Sequence, residues 1–394
     1  MFPSSLQLPR LASYSSRGGR ASSEMKQAKQ TVHRLVVKIG SSVLTDGAGR
    51  LLPARLERLT AEVVRCVQEH RQPLIVSSGA IACGMAKLGL ARRPTSLAQL
   101  QACAAVGQSE LMRLYNDAFG KHGTLTAQVL LTQDDLASRA RYRNAKQTLL
   151  TLLHRRVVPI VNENDTVAVE EITFGDNDRL AALVASAVDA QLFVILSDVD
   201  GFFQDGKLIE RVETLSQLSP AAGVGERQTT KGGMASKLEA ARIVGHSGIP
   251  MIIANGTTPS VLSDLLAGKP LGTLFVPPRN RLTARKWWIA FALRQPKGAV
   301  VVDEGAAEAL LTKGKSLLAS GVREVRGRFE MGAFVSVTNE AGAELARGVS
   351  NFSSSELLRV RGMNSAEAAR TLGHASVREV IHRDHLVLAQ ELHH

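Results

Sequence analysis

Five short apolar segments, each followed at once by small or polar residues, constrain the fold of this chain more than any other feature. In chain order they are Leu35 to Ile39 before Gly40-Ser41-Ser42, Leu74 to Val76 before Ser77-Ser78-Gly79, Val157 to Val161 before Asn162, Leu192 to Leu196 before Ser197-Asp198, and Pro250 to Ala254 before Asn255-Gly256. Stretches with the apolar spacing of helices lie between them, as at 53–70 and 80–90. Short apolar strands that alternate with helices are typical of a parallel sheet covered on both faces. We therefore predict an α/β fold, a three-layer αβα sandwich with a mainly parallel sheet.

Ligands bind such sheets at the carboxyl ends of the strands, and most polar residues of interest fall there or in loops expected at the same edge. In chain order the groups are Lys38, Gly40 and Ser41; Ser78 and Gly79; Asn162 and Asp165; Asp176, Asn177 and Asp178; Ser197 and Asp198; and residues 230–237. Each also has a structural interpretation. Lys38 can hold its amine in water at a strand end, and Gly40 and Gly79 can serve tight turns. Asp176 and Asp178 can cap a helix or lie solvated in its first turn. Because all six groups belong to one edge, we predict a shared site.

Composition excludes several classes of protein. Hydrophobic residues make up 44% and charged residues 21% of the chain, as in globular proteins. The apolar runs have the length of strands and fall well short of the roughly 18 residues of a transmembrane helix. The net charge of +12 is spread along the chain, so it suits anionic substrates as well as a polyanion. Cys66, Cys83 and Cys103 form no C-x-x-C pair, which argues against a disulfide framework and favours a reducing compartment.

Two common nucleotide-binding signatures are missing from the sequence. Gly314-Lys315-Ser316 resembles the end of a P-loop, but Ala309 stands where that motif needs its first glycine. No candidate strand is followed by G-x-G-x-x-G. Neither a P-loop NTPase nor a Rossmann dehydrogenase is predicted.

Changes in composition predict five segments. Residues 1–33 are rich in Ser and Arg and poor in acidic residues, which predicts a disordered leader. This leader resembles an organellar transit peptide, and the alternative is a start codon placed too early, with Met25 the true start. The other segments are an α/β domain at 34–280, a linker at 281–296, a small mostly β domain at 297–372 and a tail at 373–394.

Six ordered motifs resemble those of the amino acid kinase family, and the resemblance runs from about residue 34 to 385. The motifs are Val36-Val37-Lys38-Ile39-Gly40-Ser41-Ser42-Val43-Leu44, Ser77-Ser78-Gly79-Ala80-Ile81-Ala82, Ala105-Val106-Gly107-Gln108, Val161-Asn162-Glu163-Asn164-Asp165, Gly175-Asp176-Asn177-Asp178 and Gly232-Gly233-Met234. The region from 297 resembles a PUA domain, through Gly314-Lys315-Ser316-Leu317-Leu318 and Ala346-Arg347-Gly348. The chain is most similar to family members that phosphorylate glutamate and carry such a domain.

This resemblance implies ATP-dependent phosphorylation of the γ-carboxylate of L-glutamate, the first step towards proline, with Mg2+ accompanying ATP. Lys38 and Lys237 would be catalytic at the phosphates, and Asp178 would orient them. Asp165 would receive the substrate's ammonium group. The residues implied to bind glutamate are Ser78, Gly79, Asn162, Asp165 and Asn177. Those implied to bind the nucleotide are Lys38, Gly40, Ser41, Ser197, Asp198, Lys231, Gly232, Gly233, Met234, Ala235, Ser236 and Lys237.

Two departures from the family's pattern limit what is carried over. Lys231 stands where the family usually has a threonine, so no catalytic role is assigned to it. The segment 201–228 is shorter than usual and lacks the expected tyrosine and Asp-Pro elements, so the contacts to adenine stay unassigned.

The resemblance also implies partners and a location. We expect a homo-oligomer, a dimer or tetramer, in the cytoplasm, with proline as an inhibitor and no membrane association. The alternatives are a family member that acts on acetylglutamate, aspartate, carbamate or a nucleoside monophosphate, or an RNA-binding protein with a vestigial kinase domain. RNA binding through the PUA domain is not favoured, because residues 297–372 are nearly neutral and few aromatic residues are available for stacking. We expect the three rings there, Phe329, Phe334 and Phe352, to fill its core.

Overall fold

A computed structural model describes residues 32–46, 50–167, 176–215, 218, 233–279, 281–293, 295–373 and 379–392. The first part of the chain forms a large sheet and a hairpin. The strands are β1 Arg34–Ile39, β2 Gln72–Ser77, β3 Thr126–Leu131, β4 Val158–Glu163, β5 Leu192–Ser197, β6 Phe202–Gln204, β7 Lys207–Ile209, β8 Arg211–Val212, β9 Met251–Asn255 and β10 Thr273–Phe275. The helices are α1 Ser41–Leu44, α2 Pro53–Gln68, α3 Ala80–Lys87, α4 Leu97–Gly120, α5 Gln133–Ala137, α6 Arg139–His154, α7 Asp176–Ala187, α8 Met234–His246 and α9 Val261–Leu266.

The strand order of the large sheet is β3-β4-β2-β1-β5-β9-β10-β8, and β6 pairs only with β7. Every neighbouring pair is parallel except β9 with β10. Both faces of the sheet are covered, because Val36 packs in one apolar core while Leu35 and Val37 pack in the other. The predicted three-layer α/β fold with a mainly parallel sheet is confirmed.

The five predicted strands are the five contiguous central ones, β4, β2, β1, β5 and β9. The strands that the sequence did not indicate lie towards the sheet edges. Of these, β3 is largely half-buried and β8 has only two residues. A strand that is paired or covered on one side only needs no continuous apolar run, so its sequence carries a weaker signal.

Strand register brings the predicted polar residues together. Ile39 at the end of β1 pairs with Ser77 in β2 and with Leu196 in β5. The chain leaves the sheet at Gly40, whose N–H still donates to the carbonyl of Leu196 at 3.0 Å. The carboxyl ends of β1, β2 and β5 therefore lie side by side at one end of the sheet.

Helices α3 and α4 cross in unusually close contact through two glycines. A Cβ atom on Gly107 would lie 1.8 Å from the carbonyl oxygen of Ala80, and one on Gly84 would lie 1.8 Å from that of Cys103. No side chain fits at either position without moving backbone. This crossing places Gln108, which follows Gly107 in α4, near the end of β4.

The second part of the chain begins with a helix inside the predicted linker. Helix α10 Ala284–Trp287 continues directly into a π-helix, Trp288–Ala292. The strands that follow are β11 Ala299–Val302, β12 Val322–Arg326, β13 Phe334–Thr338, β14 Glu344–Val349 and β15 Leu386–Leu388. The helices are α11 Glu304–Leu311, α12 Ser354–Val360, α13 Ser365–Leu372 and α14 Ala389–Leu392, with 3-10 turns at Ala319–Gly321 and Arg383–His385.

The second sheet has the order β12-β11-β13-β14-β15, with only β11 and β13 parallel. Its last strand, β15, lies in the segment predicted as a tail. The three apolar residues of β15 pair with β14. Phe329 and Phe352 fill this domain's core as predicted. Phe334 differs from the prediction, since it packs in the core that also contains Trp287 and Phe291 of the linker helix.

Within the part of the chain that the structure describes, every helix is too short or too polar to cross a membrane. Cys66, Cys83 and Cys103 are all buried free thiols.

Candidate active site

The candidate site is built around one buried carboxylate, that of Asp178 in the first turn of α7. Its Oδ1 lies 2.6 Å from Nζ of Lys38 in β1, and its Oδ2 lies 3.3 Å from Nζ of Lys237 in α8. Ser236 donates from Oγ to the same Oδ2 at 2.8 Å. Two ammonium groups that lie far apart in the sequence therefore meet at one carboxylate.

This geometry decides between the two interpretations of Lys38 and Asp178. Only 6% of Lys38 and none of Asp178 is exposed, so the solvated alternatives for both residues are wrong. Burial raises the pKa of Asp178, but the charges of Lys38 and Lys237, with hydrogen bonds from Lys38 and Ser236, outweigh it and hold that pKa below its ordinary value. The group is thus a paired, ionised carboxylate, which a buried site can hold only with such partners.

We expect the acid sensitivity of folding to depend on Asp178. A carboxyl whose pKa is lowered by folding stabilises the fold above its unfolded pKa, and this stabilisation is lost as the pH falls through the folded pKa. The free energy of unfolding of the wild type should therefore fall more steeply below about pH 4 than that of Asp178→Asn, by at most about 1.4 kcal/mol per pH unit. Urea unfolding across that range measures both slopes. Parallel slopes for the two proteins would show that folding does not lower the pKa of Asp178.

Asn177, the neighbour of Asp178, connects the ends of two strands. Its Nδ2 lies 2.9 Å from Oγ of Ser78, 3.0 Å from Oδ1 of Asn162 and 3.1 Å from the carbonyl oxygen of Ser77. Asn162 in turn donates from Nδ2 to Oε1 of Gln108 at 2.8 Å. Three of the predicted substrate-binding residues therefore form one hydrogen-bonded network beside the lysines.

Two polar atoms of this network are buried without a hydrogen-bond partner among the described residues. They are Oδ1 of Asn177, an acceptor, and Nε2 of Gln108, a donor. Burying such atoms unpaired costs free energy, so each is a candidate contact for a bound ligand. A ligand that carries both a carboxylate and an ammonium group can supply the acceptor and the donor.

Asp165 lies in the turn after β4, at a cavity of about 290 Å³ that is also lined by Gln108. The charge of Asp165 acts on a cationic side chain, that of Arg93, which the sequence did not indicate. Burial lowers the pKa of the half-buried Arg93, and the negative charge of Asp165 acts in the opposite direction. Gly79 adopts a left-handed conformation with φ of +111° and begins α3 next to the network.

Comparison with known proteins places this geometry in a family. Residues 33–255 match the amino acid kinase family, and residues 298–372 match the PUA domain. The chain belongs to the amino acid kinase family.

It is 48% identical over 365 residues to a curated glutamate 5-kinase of Geobacter metallireducens, covering 91% of this chain and 98% of that protein. A glutamate 5-kinase of Thermus thermophilus is 47% identical over 365 residues, with the same coverage of each chain. A solved UMP kinase from Bacillus anthracis aligns at 15% identity with a TM-score of 0.43, over 62% of this chain and 96% of that one.

As an amino acid kinase the chain is an enzyme, and five of the residues predicted to bind its nucleotide lie at the start of α8. Gly233 precedes α8, and Met234, Ala235, Ser236 and Lys237 form its first turn. Ser197 is buried at the end of β5 and donates from Oγ to Asp198, which is exposed. Lys231, Gly232 and the side chain of Asp176 lie outside the described residues.

One predicted contact of this amino acid kinase changes in detail. Gly40 and Ser41 are both predicted to bind the nucleotide. The N–H of Gly40 is instead used within the sheet, where it donates to Leu196. A Cβ on Gly40 would lie 3.8 Å from Nζ of Lys38, so this glycine keeps space open beside the lysine.

Two residues near the site carry no signal in the sequence. Gln108 belongs to the motif Ala105-Val106-Gly107-Gln108, and only the crossing of α3 and α4 brings its side chain to Asn162. Arg93 lies between α3 and α4, in a stretch without a distinguishing pattern.

Proposed function

We propose that this amino acid kinase transfers the γ-phosphoryl group of ATP to the γ-carboxylate of L-glutamate. The observation that carries the proposal is the convergence of Lys38 and Lys237 on Asp178, beside a network with unpartnered groups suited to an amino acid. The full-length similarity to proteins named glutamate 5-kinase supports the choice of substrate.

The chemistry explains why the site contains lysines and no general base. A carboxylate with an ordinary pKa near 4.3 is already ionised at neutral pH, so no proton has to be removed from the nucleophile. What opposes reaction is the approach of an anion to a polyanion. Preorganised positive charge at the transferring phosphoryl group lowers that barrier. Lys38 and Lys237 supply the charge, and Asp178 holds both amines in place until phosphate oxygens are present.

The polar network would bind the amino acid end of the substrate. Asp165 and the unpartnered Oδ1 of Asn177 would accept from the α-ammonium group, while Oγ of Ser78 would donate to a carboxylate oxygen. The unpartnered Nε2 of Gln108 can donate to a carboxylate oxygen as well. This arrangement would leave the γ-carboxylate directed towards the lysines, in line with the incoming phosphoryl group.

Mg2+ would enter with ATP as part of the substrate. We assign it no ligand from the chain, because both oxygens of Asp178 already contact a lysine. Across the described ranges, no group of three or more His, Cys, Asp or Glu is placed to hold a metal ion. Bound to ATP, the ion would neutralise phosphate charge. Lys38 and Lys237 would supply the remaining positive charge at the transferring phosphoryl group.

A coupled assay of ADP release with ATP, Mg2+ and glutamate tests the proposal. We expect turnover with glutamate and none with aspartate, acetylglutamate, carbamate or UMP. Turnover of one of these acceptors in place of glutamate would assign a different substrate within the family. RNA binding that is tight, falls steeply with salt and occurs without kinase activity would replace the proposal altogether.

Replacing Asp165 with asparagine should mainly affect glutamate binding. Loss of a charge-assisted hydrogen bond to the ammonium group costs about 1.5 to 3 kcal/mol, so the KM for glutamate should rise about tenfold to a hundredfold. The KM for ATP should stay within about twofold, since Asp165 lies in the turn after β4, whereas the predicted nucleotide-binding residues 233–237 lie at the start of α8. Steady-state kinetics with each substrate varied in turn would measure both. An unchanged KM for glutamate would remove Asp165 from the pocket.

We further propose that proline inhibits by occupying the same pocket, because its ammonium and carboxylate groups match those of glutamate's amino acid end. Competitive inhibition against glutamate would support this. The dimeric or tetrameric state, the cytoplasmic location and the organellar alternative for residues 1–33 stay predictions, and residues 1–31 lie outside the described residues.

A further inference from the structure

Arg179 makes two contacts that the chemistry above does not use. It follows Asp178 in α7, and only 17% of its side chain is exposed. Its Nη1 donates to Oε1 of Glu239 in α8 at 2.9 Å, and its Nη2 donates to the carbonyl oxygen of Phe291 in the π-helix. One side chain therefore connects α7, α8 and the linker.

The contact with Glu239 complements the one made by Asp178. Successive residues of a helix point about 100° apart, so Asp178 and Arg179 leave α7 in different directions. Asp178 contacts Lys237 of α8 in the site, and Arg179 contacts Glu239 of the same helix outside it. Two separated ion pairs fix both the distance and the rotation of α8 relative to α7. They thereby fix where the amine of Lys237 lies.

The contact with Phe291 is a helix cap. The last carbonyl groups of a helix have no partners within it, and they form the negative end of its dipole. The partly buried guanidinium of Arg179 satisfies one of these carbonyls at the end of the helical segment 284–292. A charged donor at this position stabilises the helix end and holds it against α7.

The linker helix is also held by both parts of the chain. Trp287 donates from Nε1 to the carbonyl of Ile243 in α8 at 2.9 Å, and Trp288 donates to that of Leu136 in α5 at 3.2 Å. On the other side, Lys286 pairs with Glu391 at 3.0 Å, and Phe334 of β13 shares the linker's apolar core. Movement of the C-terminal domain would therefore displace the helix end that Arg179 caps.

We propose that Arg179 is a positioning residue. It fixes the position of the Lys237 amine relative to Asp178, and it makes that position depend on the linker helix. The effect on catalysis rests on the proposed function. The capping of the linker by Arg179 does not rest on the proposed function, and amide hydrogen exchange tests it separately.

The first test compares Arg179→Ala with Arg242→Ala. Arg242 donates to the other oxygen of Glu239 at 3.3 Å, and among the described residues it forms no hydrogen bond or ion pair with the linker, so it is a matched control. We expect Arg179→Ala to lower kcat at least about tenfold, because a misplacement of about 1 Å costs up to about a hundredfold. The KM for glutamate should change less than about twofold, since only α8 moves.

Arg179→Lys should recover part of kcat, because an amine can still pair with Glu239 but lacks the second donor arm. Arg242→Ala should retain wild-type kcat.

The second test asks whether the linker acts through Arg179. Trp288→Phe removes the hydrogen bond to Leu136 and should lower kcat about threefold, within the range of coupling between residues of one network. In the Arg179→Ala background the same change should have no further effect. Independent, multiplicative losses in the double variant would overturn the dependence on the linker.

A third readout does not depend on the substrate. Amide hydrogen exchange over residues 284–293 should be faster in Arg179→Ala than in wild type, and unchanged in Arg242→Ala. If glutamate is not turned over, the proposed function fails while this measurement still tests the cap. Unchanged exchange together with wild-type kcat in Arg179→Ala would overturn the inference. If Arg179→Ala does not fold, Arg179→Lys and Trp288→Phe test the same points, with smaller expected effects.

Discussion

Replacing either Lys38 or Lys237 with methionine is expected to lower kcat by about a hundredfold to a thousandfold. Loss of one preorganised positive group at a developing charge costs about 3 to 4 kcal/mol of transition-state stabilisation, and these amines converge on one carboxylate in a buried site. Methionine keeps most of the apolar length of lysine, so the buried stem retains its packing. The coupled ADP assay with saturating glutamate and ATP measures the effect.

Lys121→Met is the matched control for these variants. Lys121 also pairs with a carboxylate, that of Glu57 at 2.7 Å, but more than half of its side chain is exposed. Surface pairs of this kind contribute little, so kcat should be unchanged. Wild-type turnover in both Lys38→Met and Lys237→Met, with folding verified by circular dichroism, would refute the assigned roles.

Replacing Gly107 with alanine is expected to have the largest effect on stability. Its Cβ would lie 1.8 Å from the carbonyl oxygen of Ala80 and 2.3 Å from the amide nitrogen of Gly84, both of them backbone atoms. Helices α3 and α4 would have to separate, and overpacking of this kind costs about 1 to 3 kcal/mol, occasionally more. We expect the free energy of unfolding to fall by about 3 kcal/mol, at the upper end, because no side chain can yield. The KM for glutamate should rise as well, since Gln108 moves with α4.

Gly120→Ala provides the comparison within the same helix. A Cβ there meets nothing within 4 Å, and alanine is the better helix former. The free energy of unfolding should be unchanged or higher by less than about 1 kcal/mol. Urea unfolding of the two variants beside the wild type gives both values. Equal stability of Gly107→Ala and Gly120→Ala would mean that the close helix crossing is not required.

The sequence predicted the centre of the sheet better than its edges. Strands β4, β2, β1, β5 and β9 are buried on both faces, and that burial demands the continuous apolar runs that can be read directly. Strand β15 has only three residues, and its place is decided by pairing with β14 rather than by local pattern. The linker helix was missed for a related reason, because its stability comes from the contacts of Trp287 and Trp288 with the first domain.

The same distinction holds for the candidate site. Residue types and their positions after strands indicated Lys38, Asn162 and Asp178, because the carboxyl ends of parallel strands share one edge. Nothing local distinguished a solvated Lys38 from a buried one. The pairing of its amine with Asp178, 140 positions later in the chain, settles the point.

The amino acid sequence by itself determined the sheet's centre, its polar edge and the family to which the chain belongs, because each depends on residues that are near one another along the chain. Only the tertiary structure decided that two distant lysines share one carboxylate, that Gln108 joins the hydrogen-bonded network of Asn162 and Asn177, and that Arg179 reaches the linker. Those contacts join side chains from helices and strands far apart in sequence. Their existence depends on how closely the elements pack, which no local pattern encodes.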